Sequence, residues 1–330
     1  MDSRQQPILV IGANGYIGRQ ACATLAASGW ARPIAGVRDP LRAPQGLDAR
    51  RVDLGDTASI GAALEGVAGV VNCASGGAEV LAAGAQRLYA AVAASAARPH
   101  VVHLSTQSVY GSATGTVDES APLRPDLGPY SEAKVAAEKA GEAWAARTVL
   151  RPGIVFGPGS PQWSTRIARL LQSGRLGELG PAGEGCCNLV HVADVAAAIE
   201  RALATALGAG TPATATVART YNLALPESPT WNAFFAAYAR ALGLPGLARA
   251  GALRLWLDSR LLGVPLKVLE RIGPRIGLDA ASLPPALPPS LLALFGQSLR
   301  LDSRRAQSEL GIAFRPLDAM VAEAAAADRR

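Results

Sequence analysis

The sequence predicts an α/β fold: a doubly wound parallel sheet with a smaller, mainly helical C-terminal lobe. Three observations predict it. In the first half, short apolar runs alternate with segments of helical length, as strands joined by crossover helices do. A glycine-rich turn stands between the first run and the first helical segment. After residue 157 the alternation loosens, and Gly and Pro cluster at 157–161 and 177–185. Beyond 230, helices and proline-rich breaks such as 283–290 leave no clear strand. The 330 residues allow roughly two units at about 150 residues each.

The elements follow in order. Residues 8–12 are a short apolar strand, and 16–28 carry helical spacing. Residues 33–37 and 51–53 read as the second and third strands. Residues 57–65 are helical, with Thr57 as the expected N-cap. Residues 67–73 are apolar and β-branched, and 79–97 form a long alanine-rich helix. Residues 100–105 are a buried strand. Residues 129–145 are a helix with Pro129 in its first turn, where a missing N–H costs little. Residues 148–151 are a further strand. Then come a helix over 163–172, a strand over 189–192, a helix over 195–207 and a strand over 221–225.

Composition narrows the function classes. Hydrophobic residues make up 49% and charged residues 18%, with mean hydropathy +0.19, which excludes a disordered chain. The net charge of +6 is concentrated, since residues 240–330 hold 13 Lys/Arg against 8 Asp/Glu. No Lys/Arg run exceeds two residues and aromatics are 5%, so a stacking platform for nucleic acid is not expected. Four cysteines without a C-x-x-C pair, and three histidines, argue against a metal site. Neighbouring Cys186 and Cys187 read as small hydrophobes. The first residues lack the apolar region of a signal peptide. No uncharged apolar stretch reaches the ~18 residues of a membrane span. The expectation is a cytoplasmic protein without an integral span.

Gly12-Ala13-Asn14-Gly15-Tyr16-Ile17-Gly18 follows the first strand and opens the first helix. Glycines there permit a tight turn, close approach of backbone to a pyrophosphate, and close helix–strand packing. The helix start offers free N–H groups and the positive dipole end. A generic tight βα turn would also use these glycines, but after a strand and opening a helix they read as a Rossmann-type dinucleotide site with Gly12, Asn14, Gly15, Tyr16, Ile17 and Gly18 as its candidates. The second strand ends in Arg38 and Asp39. An arginine there pairs with a 2′-phosphate, whereas an acid takes a ribose hydroxyl. Arg38 lies twenty residues past Gly18, so NADP is favoured over NAD. Asp39 is expected to point away or cap the next turn. Asp53 and Leu54 follow the third strand, placed for the adenine edge or equally for a turn.

Tyr130 and Lys134 stand four apart on one helix face. A free phenol has pKa ~10, and a nearby ammonium favours its phenolate, so the pair suits acid/base work on an alcohol or carbonyl. The preceding strand ends in Ser105-Thr106, and Thr106 offers a hydroxyl at the carboxyl end of a parallel strand, where such sheets bind ligands.

Several motifs together resemble the extended short-chain dehydrogenase/reductases of the NAD-dependent epimerase/dehydratase type. They are GANGYIG at 12–18, STQSVYG at 105–111, YSEAK at 130–134, LRPGIVFGPG at 150–159, NLVHVADVAAAI at 188–199 and the tail at 301–316. The resemblance covers nearly the whole chain. It implies that Tyr130 is the catalytic acid/base and that Lys134 binds the nicotinamide ribose and tunes Tyr130. It implies that Thr106 polarises the substrate oxygen. Pro152, Gly153, Ile154 and Val155 would lie against the nicotinamide, and Cys73, Ala74 and Ser75 would line the cofactor after the fourth strand. There the family often has a histidine and two small residues. Leu81 stands where the family often has asparagine, which puts a relay or structural hydrogen bond in doubt.

Plainer readings apply elsewhere. His191 is expected to be structural, Asp194 to cap the helix near 195, and His103 to belong to the core. Trp163, Trp231 and Trp256 are expected to pack the second lobe or line a pocket. The dinucleotide domain is expected at 1–157 and 186–226, and the substrate lobe at 158–185 and 227–330.

The leading function is an NAD(P)-dependent oxidoreductase interconverting a ketone and a secondary alcohol. The alternative is a nucleotide-sugar epimerase or dehydratase with tightly bound NAD. A non-catalytic dinucleotide sensor would not need Tyr130, Lys134 and Thr106. Residues 251–297 are rich in Leu, Pro and Ala, with scattered Arg254, Arg260, Lys267, Arg271 and Arg275. That mixture suits a small-molecule substrate that is apolar or carries an anionic handle. Residues 253–276 could form a basic amphipathic helix at a membrane, although a lid over the substrate is the plainer reading. A homodimer is a further expectation.

Overall fold

The computed structural model describes residues 5–209, 217–273 and 284–328. Its strands are β1 (Gln6–Ile11), β2 (Ala31–Val37), β3 (Asp48–Arg51), β4 (Gly69–Asn72), β5 (His100–Leu104), β6 (Gly115–Val117), β7 (Arg147–Pro152), β8 (Ile154–Phe156), β9 (Leu189–His191), β10 (Arg219–Leu223) and β11 (Leu299–Leu301). Seven of them form one parallel sheet in the order β10-β7-β5-β4-β1-β2-β3. This is a Rossmann-like sheet. The chain winds outward from β1 to β3 and then crosses to β4, so the switch point lies between β1 and β4.

Alternation along β1 shows why both faces are covered. Ile8 and Val10 pack with Ala21, Cys22 and Leu25 of helix Tyr16–Ala27 and with Val195 and Ile199 of helix Val192–Leu207. Leu9 and Ile11 pack on the opposite face with Ile60 of helix Thr57–Ala63 and with Leu88 and Val92 of helix Ala78–Ala94. A period of two with every position apolar is the signature of a strand buried on both sides.

The C-terminal region is mainly helical, and its core is aromatic. Trp231, Phe234, Phe235 and Phe295 are fully buried, with the Trp231 and Phe295 centroids 4.6 Å apart. Helix Leu317–Asp328 adds Met320, Val321, Ala324 and Ala325 to this cluster. Ile154 and Phe156 of β8 and Leu189 of β9 also join it, so the β8–β9 ladder ties the main sheet to the second core.

Several expectations need correction. Asp56, not Thr57, caps the helix at 57, because its carboxylate accepts from the N–H groups of Ala58 (3.1 Å) and Ser59 (3.2 Å). Asp194 caps nothing. The helix begins at Val192, and His191 Nδ1 accepts from the Ala193 N–H at 3.3 Å. Asp194 instead binds the backbone N–H of Arg315 at 2.9 Å and its guanidinium. A strand does exist beyond residue 230: β11 pairs in parallel with β6, and both were missed. Three residues each, reading LRL and GTV, are too short for a periodic signal. The helix from Pro129 ends at Ala140, where Gly141 follows.

Trp231 is core, Trp163 packs 5.8 Å from it, and Trp256 is 52% exposed, so it neither packs nor lines the cleft described below. In the expected 253–276 helix, Ala252–Leu257 and Val264–Ile272 are joined by a wide turn over Asp258–Gly263. Arg275 and residue 283 of the proline-rich break lie outside the described residues, as do the side chains of Lys267 and Arg271. Among the described residues no helix is long and apolar enough to cross a membrane.

Candidate active site

The glycine turn lies at the switch point. Ile11 of β1 pairs with Asn72 of β4, so the chain after each strand emerges side by side. Gly12 has φ +81°, and a Cβ on it would stand 2.8 Å from the Cys73 carbonyl oxygen. A Cβ on Gly15 would stand 3.1 Å from the Gly12 oxygen, and one on Gly18 would collide with that same atom. The turn is thus closed against side chains from within. No side chain caps the helix at Gly15, so its first N–H groups remain available to an anion.

Gly15, Tyr16 and Ile17 line one cleft of about 1300 Å³ together with Cys73, Ala74, Ser75, Thr106, Tyr130, Lys134 and Pro152 to Val155. Gly12 and Gly18 sit behind that wall. Asn14 is exposed, and its carbonyl accepts from Arg19 at 2.6 Å. Arg38 is exposed just after β2 and outside the cleft lining. Asp39 caps the short turn Pro40–Arg42, accepting from the Leu41 N–H at 3.1 Å. The Asp53 carboxylate accepts from the Gly55 N–H at 2.9 Å, which is turn chemistry. Leu54 is buried against Gly84, and a Cβ there would meet its side chain at 2.9 Å. Neither Asp53 nor Leu54 lines the cleft.

Thr106 stands two residues beyond β5 and caps the short turn Gln107–Tyr110, its hydroxyl accepting from the Ser108 N–H at 3.3 Å. Tyr130 sits in the first turn of helix Pro129–Ala140, 52% exposed, at the rim. The surrounding protein pushes its phenol pKa up, while a hydrogen bond with Thr106 pulls it down. One turn later Lys134 is buried, and Nζ donates to the Leu104 carbonyl at 2.8 Å. Burial lowers the Lys134 pKa to about 8, opposed by Cys73 and Glu138. Burial pushes the Cys73 thiol up to about 12, so it is a neutral wall.

Behind these residues lies a buried polar network with no counterpart in the sequence reading. The Glu138 carboxylate takes Arg151 through Nε (3.0 Å) and Nη2 (2.7 Å), and it accepts from the Ser105 hydroxyl. Arg151 also donates to the Tyr110 hydroxyl at 2.8 Å, which donates to Asn222 Oδ1 at 2.6 Å. Glu138 lies four residues past Lys134 and Arg151 precedes Pro152, and that adjacency was the available signal. His103 is buried beside Asn72 (3.3 Å), and burial, with Lys134 and Arg147, holds its pKa near 3, so it is neutral. Leu81 is buried and supplies no relay.

The far side of the cleft comes from the second lobe, with Trp163 and part of the Leu-, Pro- and Ala-rich stretch 251–297 lining it. Trp163, Leu292, Ala293 and Leu294 make it largely apolar, with Gln162, Ser290, Gln297 and Ser298 as polar points. Among the described residues lining the cleft, Lys134 is the one Lys or Arg. Chemically, the arrangement brings a hydroxyl, a phenol and an ammonium to one wall of a two-ended cleft.

A family model described as the NAD dependent epimerase/dehydratase family matches residues 8–224. Protein YeeZ of Escherichia coli strain K12 is 32% identical over 152 residues, covering 44% of this chain and 47% of that protein. The chain therefore spans about half the length of the first curated relatives that it matches. A 2-alkyl-3-oxoalkanoate reductase of Stenotrophomonas maltophilia strain K279a is 30% identical over 291 residues, covering 78% of this chain and 86% of that protein. Among solved structures, MoeE5 in complex with UDP-glucose and NAD is similar, with TM-score 0.70 and 25% identity over 98% of this chain and 99% of that one.

Proposed function

The chain belongs to the NAD-dependent epimerase/dehydratase family, and from that premise we propose that it is a reductase interconverting an apolar ketone and its secondary alcohol, with NADP preferred. One observation carries this reading. Thr106, Tyr130 and Lys134 stand on one wall of a cleft whose opposite, C-terminal side is largely apolar. The similarity to a 2-alkyl-3-oxoalkanoate reductase supports a substrate of this kind.

The residues fit a dinucleotide. A Cβ would collide at Gly12 and at Gly18 and would be crowded at Gly15, and the helix start at Gly15 is uncapped. Gly12, Asn14, Gly15, Tyr16, Ile17 and Gly18 would hold the pyrophosphate. Arg38 would take the 2′-phosphate, with Asp39 already committed to its own turn. Asp53 and Leu54 would flank the adenine, and Cys73, Ala74 and Ser75 would floor the cleft. Lys134 would reach the nicotinamide ribose, and Pro152, Gly153, Ile154 and Val155 would back the ring. When bound, the cofactor supplies or accepts the hydride. Tyr130 gives a proton to the carbonyl oxygen in reduction and takes it back in oxidation. Thr106 holds that oxygen, and Lys134 keeps positive charge near the phenol. We assign 1–157 and 186–226 to the cofactor and 158–185 and 227–330 to the substrate.

A second reading is a nucleotide-sugar epimerase or dehydratase, favoured by the likeness to MoeE5. Against it, Lys134 is the one Lys or Arg among the described residues that line the cleft, and a diphosphate is ordinarily met by several such cations. Mass spectrometry of the denatured, purified protein separates the two. Exchangeable NADPH, consumed when an apolar ketone is added, is the expected result. Retained NAD that never exchanges favours the epimerase reading.

A further inference from the structure

Eleven large apolar side chains are exposed among the described residues, and six of them fall in 256–272: Trp256, Leu257, Leu261, Leu262, Val268 and Ile272. Scattered apolar exposure is ordinary, whereas a concentrated patch marks an interaction site. These six share a helical stretch. Trp256 and Leu261 are five apart, as are Leu257 and Leu262, the repeat of the wide turn at Asp258–Gly263. Val268 and Ile272 are four apart on the helix that follows.

The stretch lies one layer from the substrate end of the cleft. Gly263 meets the Leu287 carbonyl so closely that a Cβ would stand 2.5 Å from it. The chain from Leu287 continues into helix Pro289–Phe295, whose Ser290, Leu292 and Leu294 line the cleft. The patch is also basic. Arg254 and Arg260 are exposed, whereas Asp258 is 11% exposed and paired with Arg175, so it does not offset them.

We propose that 254–272 is an interfacial helix that docks on an anionic phospholipid surface beside the mouth of the substrate cleft. Charge selects this occupant over a second copy of the chain. A two-fold interface sets a patch against itself, which would bring arginines against arginines. An anionic bilayer supplies both an apolar phase and opposite charge. It also holds apolar ketones and alcohols; this part of the argument rests on the reductase reading.

Flotation of the full chain with phosphatidylcholine vesicles, with and without phosphatidylglycerol, tests the proposal and needs neither substrate nor turnover. Failure here therefore leaves the reductase reading standing, and failure of that reading leaves this result readable. The protein should float with the anionic vesicles and much less with the neutral ones. One arginine near an anionic surface is worth roughly fivefold in partitioning, so Arg260→Glu should cut binding about tenfold or more. Leu261→Ser with Leu262→Ser should also cut it by at least about tenfold. Circular dichroism and NADPH affinity, unchanged in both variants, control for folding. Equal binding to both vesicle types, no binding by folded protein, or binding unaffected by the leucine pair would overturn the proposal. So would a dimer that the leucine pair dissociates while neither vesicle binds, which would give the face to a second copy.

Discussion

At the scale of single residues, the proposed NADP preference rests on Arg38 and Asp39. The carboxylate of Asp39 is occupied by the Leu41 N–H, which leaves the exposed guanidinium of Arg38 as the group at the end of β2. A charge-assisted hydrogen bond is worth about 1.5–3 kcal/mol. Arg38→Ala should therefore lower NADPH preference roughly ten- to a hundredfold, with NADH affinity little changed. Calorimetric Kd values for both dinucleotides on the parent, Arg38→Ala and Asp39→Ala check this; an NADH preference relaxed by Asp39→Ala alone would reverse the assignment. Lys134 sets a pH limit. Its pKa is lowered to about 8, so its positive charge is present below that pH and lost above it. The proposed ketone reduction also uses protonated Tyr130, so reductive kcat/KM should hold at neutral pH and fall as pH rises through about 8. A profile that climbs through that range would contradict this. The glycine turn and the Tyr130–Lys134 pair were legible from local spacing, and Thr106 from its place past the carboxyl end of a strand; Gly15, Thr106, Tyr130 and Lys134 reach the cleft lining, whereas Gly12 and Gly18 do not. The pairing of Glu138 with Arg151 was not legible, because it depends on contacts between separate elements.

At the scale of elements, the carboxylate of Glu138 ties three pieces together. It joins the helix carrying Tyr130 and Lys134 to Ser105, beside Thr106, and to Arg151, beside Pro152. Arg151 and Glu138 are 7% and 6% exposed. Removing one partner of a buried pair strands the other charge, at about 3–5 kcal/mol. Arg151→Met should lower stability by that order in urea denaturation, and so should Glu138→Gln, since the amide leaves the Arg151 charge unpaired and can accept only one of its two N–H bonds. A loss under about 1 kcal/mol for Arg151→Met would mean that water reaches the pair. The order of strands and helices in the first half followed from apolar runs buried on both faces. Element ends were harder. Asp56 displaced Thr57 as cap by one residue, and the β6–β11 pair joins segments far apart in sequence that carry no periodic pattern of their own.

At the scale of the whole molecule, two cores meet at a cleft. One is the doubly covered sheet that forms the glycine turn, and the other is the aromatic cluster around Trp231. Rossmann-like sheets serve many activities, so the account stands or falls on what Tyr130 does in that cleft. The decisive measurement compares the parent with Tyr130→Phe for NADPH affinity and for single-turnover reduction of an apolar ketone. The ring at the rim remains and only the proton donor goes, so Kd should stay near the parent value while the reductive rate falls about 10²–10⁴-fold. Parental turnover in Tyr130→Phe would contradict the account.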